Sequence, residues 1–288
     1  MANAEHHFVP AFLLREWQSG QDAKLSSFRW NRGAVVVNRF KAKSVAKRRH
    51  LYSTGVAEGR PVNLVETEFM TPQVDEPAAA VHKELLAGRL PELSAAQRRD
   101  WARFLVSQLV RVPAMVAHVR LRGREILLRG DEPVAADMLQ PGERPVPLSE
   151  WLARNTPGLF DDLGIETLPH IITSQVLNDV FLEATWGVHA IKHTWFDFVI
   201  GDQPLVYEGQ MKSNFLFALP LSPRVLFTAF SDPETGMNLK NASRQKLVVT
   251  FNRSQVGQAS TYVYACSDAQ RRLIERHLRG PQTVGPPA

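Results

Sequence analysis

The fold class is decided by residues 195–230, WFDFVIGDQPLVYEGQMKSNFLFALPLSPRVLFTAF. Short aromatic and β-branched runs lie in this stretch, separated by Gly, Pro and Asn, at 195–200, 205–207, 215–219 and 225–230. Runs of this kind, bounded by turn residues, are typical of strands. They predict an antiparallel sheet in the C-terminal third of the chain.

The residues before this stretch have a helical pattern. Ser94 is a good N-cap, and apolar residues follow it at helical spacing until Pro113, which predicts one helix; 115–129 predicts a second. Ser149 is expected to cap a short helix, and 165–193 to form a long one. The predicted class is therefore α+β, with a helical middle region packed against the C-terminal antiparallel sheet.

Three other parts of the chain complete this prediction. Residues 24–30 and 34–40 flank an Asn-Arg-Gly turn and predict an N-terminal hairpin, after which the basic stretch 41–50 is expected to be a loop or short helix end. Residues 63–90 suggest a helix interrupted at two prolines, Pro72 and Pro77. Helices are also expected over 242–259 and 268–279.

A length of 288 residues is compatible with one domain. We expect a single α+β domain over 1–279, which divides at most into two lobes, 1–130 and 148–279, joined by the proline-rich connection 131–147. The tail 280–288 is expected to be disordered.

Composition limits the class of protein. The net charge of +5 favours polyanions as partners without identifying one. One cysteine, Cys266, excludes an internal disulfide and fits a reducing compartment. No signal peptide and no apolar run long enough to span a bilayer are evident, so we expect a cytoplasmic protein with no membrane partner. The oligomeric state and any cofactor stay open.

Standard catalytic motifs are absent, including GxxxxGK[ST], GxGxxG, GxSxG, HExxH and CxxC. The run HFVPAFLLREW at 7–17, however, resembles the opening of the DUF4238 family. Other pieces are similar to family segments in the same order: Leu51-Tyr52, the acidic region around Glu66, Glu68 and Asp75, 104–113, 198–205, 219–223 and the helix around Asn252. Ala11 departs from the Gln that is frequent in the family, and Ile200-Gly201 departs from Thr-Ser. The family is named for its unknown function, so the resemblance implies no activity.

Five polar residues lie among apolar neighbours in these segments: His7, Gln108, Arg111, Asp202 and Asn252. A histidine beside a carboxylate can act as a general base, and an arginine can hold a phosphate. One hypothesis is therefore a hydrolase acting on a phosphoester or nucleic acid, with His7, Asp202 and Arg111 as catalytic residues and Gln108 and Asn252 binding substrate. The alternative interpretation is a hydrogen-bonded network that stabilises the fold.

Basic residues suggest a second function. Lys47, Arg48 and Arg49 end the basic stretch, and further arginines follow along the two middle helices. They are candidates for binding the phosphates of a nucleic acid, either as part of a hydrolase site or in a non-catalytic binding module. A solvated surface is the competing interpretation.

Metal binding has little support. His189 and His193 would share one face of a helix, but the sequence nearby lacks a third ligand. His6 and His7 are adjacent, so on a strand they point to opposite faces. No metal ligands are predicted.

Overall fold

The structure is a computed structural model that describes residues 5–279 except positions 57–58, 60, 130–131, 136–137, 140–141, 143, 157, 193 and 211–212. The expected disordered tail 280–288 and part of the proline-rich connection 131–147 lie outside the described residues. Within that connection, Pro133 and Pro147 form an isolated antiparallel bridge.

Helices and strands are both well represented, which confirms the α+β class. The helices are Ala11–Leu14 (α1), Glu76–Leu86 (α2), Ala95–Val110 (α3), Pro113–Leu128 (α4), Leu148–Asn155 (α5), Leu159–Glu166 (α6), Leu168–Ile172 (α7), Gln175–Leu182 (α8), Pro233–Asn241 (α9), Arg244–Gln258 (α10) and Arg271–His277 (α11). A π-helix, Val65–Asp75, runs directly into α2, and 3-10 turns lie at Arg15–Trp17, Ala42–Ser44 and Leu90–Glu92.

The strands are Glu5–His7 (β1), Leu25–Asn31 (β2), Ala34–Phe40 (β3), Lys47–Arg49 (β4), Thr185–Ala190 (β5), Ile200–Gly201 (β6), Val206–Gln210 (β7), Asn214–Ser222 (β8), Val225–Phe230 (β9) and Tyr262–Ala265 (β10). They form one sheet of order β3-β2-β10-β6, a second of order β5-β9-β8-β7, and the pair β1-β4. All of these pairings are antiparallel.

Local sequence signals explain the elements that were predicted well. The hairpin β2-β3 turns at Arg32 and Gly33, whose φ angles of 47° and 90° match the left-handed conformation of tight hairpin turns. Helix α3 begins with a capping box in which Ser94 accepts from the Gln97 backbone N–H while the Gln97 side chain accepts from the Ser94 N–H. Pro113 starts α4, where its missing N–H costs nothing.

The prediction of one helix over 165–193 is wrong. The chain there forms α6, α7 and α8 and then strand β5, which pairs with β9. Position 173 ends α7, and the β-branched and aromatic residues at 185–188 favour a strand over a further helical turn. Ser149 is not an N-cap, because α5 already begins at Leu148 after Pro147.

Other boundaries also differ. The stretch 41–50 contains a 3-10 turn and strand β4 rather than a solvated loop. Over 63–90 the prolines do not interrupt the helix, since Pro72 lies within the π-helix and Pro77 within the first turn of α2. Of 195–200, only the end is strand β6, and it joins the sheet of β10 rather than that of β8. Strand β10, which was not predicted, lies inside that sheet.

The helical middle packs on the second sheet as expected. The ring of Trp101 on α3 meets Phe227 on β9 edge to face, with centroids 5.6 Å apart, and both are fully buried. One apolar cluster includes residues from both predicted lobes, for example Trp101 and Phe227. Among the described helices none is both long and apolar enough to cross a bilayer alone. Helices α3 and α4 together have the length and composition of a membrane span, but they are bent by 78° relative to each other.

Candidate functional site

The sheet β3-β2-β10-β6 uses its two faces differently, because successive side chains along a strand point to opposite faces. One face carries Phe28, Val35 and Val263, which pack against Val256 of α10 and Ile274 of α11 in a closed apolar cluster. The other face is opposed by β4 and the start of α4. A cavity of about 490 Å³ lies between them.

Strand register gathers the cavity residues on that second face. Arg29 on β2 is paired with Tyr262 on β10, and Ser27 with Tyr264. Phe40 on β3 lines the cavity from the same face and remains 41% exposed. The guanidinium of Arg29 and the phenol ring of Tyr262 are thereby placed side by side on the floor of the cavity, with the phenyl ring of Phe40 farther along the same face.

Strand β4 supplies the opposite wall. Lys47 and Arg48 line the cavity together with Val112, Pro113 and Ala114 at the start of α4. Lys47 forms an ion pair with Glu5 on β1, whereas Arg48 is exposed and has no ion-pair partner within the described part of the chain. The first N–H groups of a helix have no intrahelical acceptor and carry partial positive charge. We call this cavity, with Arg29, Phe40, Lys47, Arg48 and Tyr262, the basic cleft.

Arg29 and Tyr262 are arranged relative to each other before any ligand binds. The Arg29 guanidinium carbon lies 5.7 Å from the centroid of the Tyr262 ring, within the range of cation–π attraction. The Tyr262 ring is in turn parallel to the Tyr264 ring, with an interplanar angle of 3° and centroids 6.3 Å apart. Tyr264 is buried, and its ring flanks Tyr262 on the same face of β10.

Asp202 also lines the basic cleft, but its carboxylate has another use. Oδ1 accepts from the Ser260 N–H at 2.8 Å, and Oδ2 accepts from the N–H groups of Thr261 at 2.7 Å and Tyr262 at 3.0 Å. Burial raises the pKa of Asp202, and these backbone N–H groups oppose that rise. Both oxygens therefore hydrogen-bond to the turn that leads into β10, and these bonds fix the position of Tyr262.

His7 and Arg111 lie in a different place, which we call the inner network: His7, Tyr52, Glu66, Asp75 and Arg111. The Arg111 side chain is fully buried and donates to both carboxylate oxygens of Asp75, at 2.6 and 3.1 Å, and to the His7 carbonyl at 2.8 Å. The Tyr52 hydroxyl donates to the Arg111 carbonyl at 2.7 Å. This pairing occupies Nη1 and Nη2 of Arg111, two of the atoms with which an arginine holds a phosphate, while its buried Nε has no hydrogen-bond partner among the described residues.

The imidazole and carboxyl groups of the inner network have shifted pKa values. Burial lowers the pKa of His7 and raises the pKa of Glu66 to about 7. Next to them, burial lowers the pKa of His6, whose ring stacks on Tyr52, to about 4. In each of these groups desolvation favours the uncharged form.

The structure brings His7 and Arg111 together but does not join them to Asp202. Between Asp202 and either residue there is no hydrogen bond or ion pair in the described chain. Gln108 is buried on α3 and donates to Ser107 at 3.2 Å. Asn252 is buried on α10, where it accepts from Val199 and donates to Asp197 and Gln270. Neither amide lines the cleft, and the catalytic and substrate-binding roles of these residues stay predictions.

Arg49, the third of the predicted basic residues, lines an adjoining cavity of about 420 Å³ with Arg48, His50 and Arg120. His189 is on β5 instead of a helix and its Nε2 lies 2.9 Å from the Thr228 hydroxyl. His193 lies outside the described residues. Over the described chain no group of three or more His, Cys, Asp or Glu residues could hold a metal ion.

Sequence reasoning missed Arg29, Phe40 and Tyr262. The signal available was alternation: Ser27 and Arg29 are polar residues two apart on a predicted strand, and Tyr262 and Tyr264 are two apart in a short β-branched run. Each pair indicates that one face of its strand carries polar or aromatic side chains instead of packing in the apolar core. That the two faces coincide depends on a pairing between residues far apart in sequence.

Comparison with known proteins gives a family and no activity. No curated protein and no solved structure matches the chain. The family described as "Protein of unknown function (DUF4238)" matches residues 5–269, which include the inner network and every residue named for the basic cleft. The chain therefore belongs to the DUF4238 family.

Proposed function

We propose that this protein is a non-catalytic module that binds single-stranded nucleic acid in the basic cleft. The observation that carries the proposal is that Arg29, Lys47 and Arg48 line one cavity together with the aromatic rings of Phe40 and Tyr262. Proteins that hold single strands combine a positive groove for phosphates with rings on which bases stack. Duplex DNA hides its base faces, so the exposed ring of Phe40 and the half-buried ring of Tyr262 favour a single strand.

Size and charge both suit a nucleotide. A cavity of about 490 Å³ is within the usual range for small-ligand sites. Asp202 is the one acidic side chain among the described residues that line the cleft, and its oxygens accept from three backbone N–H groups. Arg29 and Arg48 are both exposed, so their positive charge is available to phosphate.

The hydrolase hypothesis has no comparable observation behind it. It needs a guanidinium free to hold a phosphate and a carboxylate free to orient a base or bind a cation. Arg111 is paired with Asp75, and Asp202 is bonded to backbone N–H groups. The geometry therefore favours binding over turnover.

The test is a titration of fluorescently labelled dT and U oligonucleotides, read by anisotropy at several salt concentrations. Arg48→Ala should weaken binding and reduce the slope of log K against log salt by about 0.7, as expected for one lost phosphate contact on a single strand. Tyr262→Val, which keeps a β-branched strand residue, should weaken binding by about 1–3 kcal/mol through lost stacking.

Arg154→Ala is the matched control. It removes the same charge from an exposed ion pair on α5, which does not line the cleft. Absence of binding to every oligonucleotide at low salt would refute the proposal. So would an effect of Arg154→Ala equal to that of Arg48→Ala, since binding would then reflect net charge alone.

A further inference from the structure

A second cavity adjoins the basic cleft and shares Arg48 and Pro113 with it. Its volume of about 420 Å³ is again large enough for a nucleotide. Arg49, His50 and Arg120 complete its basic lining, and we call it the arginine pocket. The two cavities are adjacent along β4, because Lys47 lines the basic cleft, Arg48 lines both cavities and Arg49 lines the arginine pocket.

The charges in the arginine pocket are poorly balanced. Arg120 is half-buried and donates to backbone carbonyls, at 3.2 Å to Ser53, 3.3 Å to Asp161 and 3.4 Å to Leu51. Burial lowers the pKa of Arg120, and the charge of Arg48 lowers it further, while Asp161 and Asp162 oppose both effects. No acidic side chain is found among the described residues that line the pocket. The lining of the pocket is thus positively charged, which favours an anion as its ligand.

We propose that the arginine pocket binds the next phosphate of the same strand, so that the ligand is an oligonucleotide and not a mononucleotide. This inference rests on the proposed function, because the first nucleotide is placed in the basic cleft. Arg48 would lie between the two phosphates and contribute to both. The strand would then pass the start of α4, where Pro113 belongs to both cavities.

The experiment compares thymidine 5′-monophosphate with dT oligonucleotides of two, four and eight residues, as competitors of a labelled dT strand. Affinity should rise more than tenfold from the mononucleotide to the shortest oligonucleotide that fills both cavities. Arg49→Ala should weaken the eight-residue strand about fivefold at 0.1 M salt, the value of one phosphate contact, and leave the mononucleotide unchanged. Arg49→Lys, which keeps the charge, should restore most of the loss.

Each outcome decides the matter. Equal affinity for the mononucleotide and the oligonucleotides, with Arg49→Ala without effect, would overturn the arginine pocket and leave the basic cleft intact. Absence of binding by every competitor and by the labelled strand would overturn both proposals. A circular dichroism melt of each variant ensures that a loss of affinity is measured on folded protein.

Discussion

The inner network and the basic cleft contain the same kinds of side chain, arginine beside carboxylate and aromatic ring, yet they differ in how those groups are paired. In the inner network Arg111 is fully buried and bonded to Asp75. In the basic cleft Arg29 and Arg48 are exposed, and Arg29 lies over an aromatic ring. Residue types alone suggested a site made of His7 and Arg111 from the first and Asp202 from the second, whereas exposed positive charge and accessible rings favour the second.

Among the variants that test this difference, we expect Asp75→Ala to change stability most. Removing one partner of a buried ion pair leaves the Arg111 charge without compensation, so we expect the free energy of unfolding to fall by about 3–5 kcal/mol. Urea denaturation followed by circular dichroism measures it. Asp22→Ala, which breaks the exposed pair with Arg39, is the control and should cost far less. A similar small cost for both variants would mean that the inner network is not structural.

Asp202→Asn tests whether a residue that lines the cleft is structural. The amide nitrogen cannot accept a hydrogen bond, so at least one of the backbone N–H groups of Ser260, Thr261 and Tyr262 loses its acceptor. We expect a loss of about 1–3 kcal/mol in the free energy of unfolding. An unchanged melting temperature together with a lost hydrolytic activity would instead revive the catalytic role of Asp202.

Phe40→Leu tests the cleft in the opposite way. Phe40 is 41% exposed, and leucine keeps most of the apolar contact, so stability should change by less than about 1 kcal/mol. Oligonucleotide affinity should fall by about 1 kcal/mol, because leucine offers no ring for stacking. Anisotropy and a thermal melt on the same sample separate the two quantities. Lost stability with unchanged affinity would place Phe40 with the core and not with the ligand.

A further prediction concerns the pH dependence of stability. The pKa of Glu66 is raised to about 7 by burial and by Asp75, against the opposing charge of Arg111, while an unfolded chain releases this proton near 4.5. Between these values the folded state holds more protons than the unfolded state, so the contribution of Glu66 to stability falls as pH rises to about 7. Glu66→Gln should therefore gain stability relative to the parent as pH rises from 5 to 8.

Urea midpoints of both proteins at each pH provide the measurement. His6 has the opposite effect on the pH dependence of stability. Its pKa is lowered to about 4, so its contribution to the free energy of unfolding is lost as pH falls below about 6.5. Comparing Glu66→Gln with its parent at each pH cancels that contribution. A constant difference between the two proteins would show that Glu66 titrates normally.

Local signals in the sequence predicted local structure well. Ser94 and Gln97 cap α3 as their spacing indicates, and the Asn31-Arg32-Gly33 turn closes the hairpin. Where the outcome depended on distant partners, prediction failed. Thr185–Ala190 has enough apolar residues to continue a helix, but pairing with β9 makes it a strand.

The same limit applies to the site. The basic residues Lys47 and Arg48 could be found because they are adjacent in sequence, and they do line the cleft. Arg29 and Tyr262 could not be linked to them, because the pairing of β2 with β10 is a tertiary contact that no local pattern encodes. His7 and Asp202 were grouped by residue type, but hydrogen bonding assigns them to different environments.

The position of β10 between β2 and β6 has a consequence for biosynthesis. The floor of the cleft joins residues near 28 to residues near 263, and such long-range pairing forms slowly and late. During translation β2 and β3 can close as a hairpin early, but Tyr262 can pair beside Arg29 only after the more than 200 residues between β3 and β10 have left the ribosome. A nascent chain therefore lacks a complete cleft until β10 has been synthesised and has paired with β2.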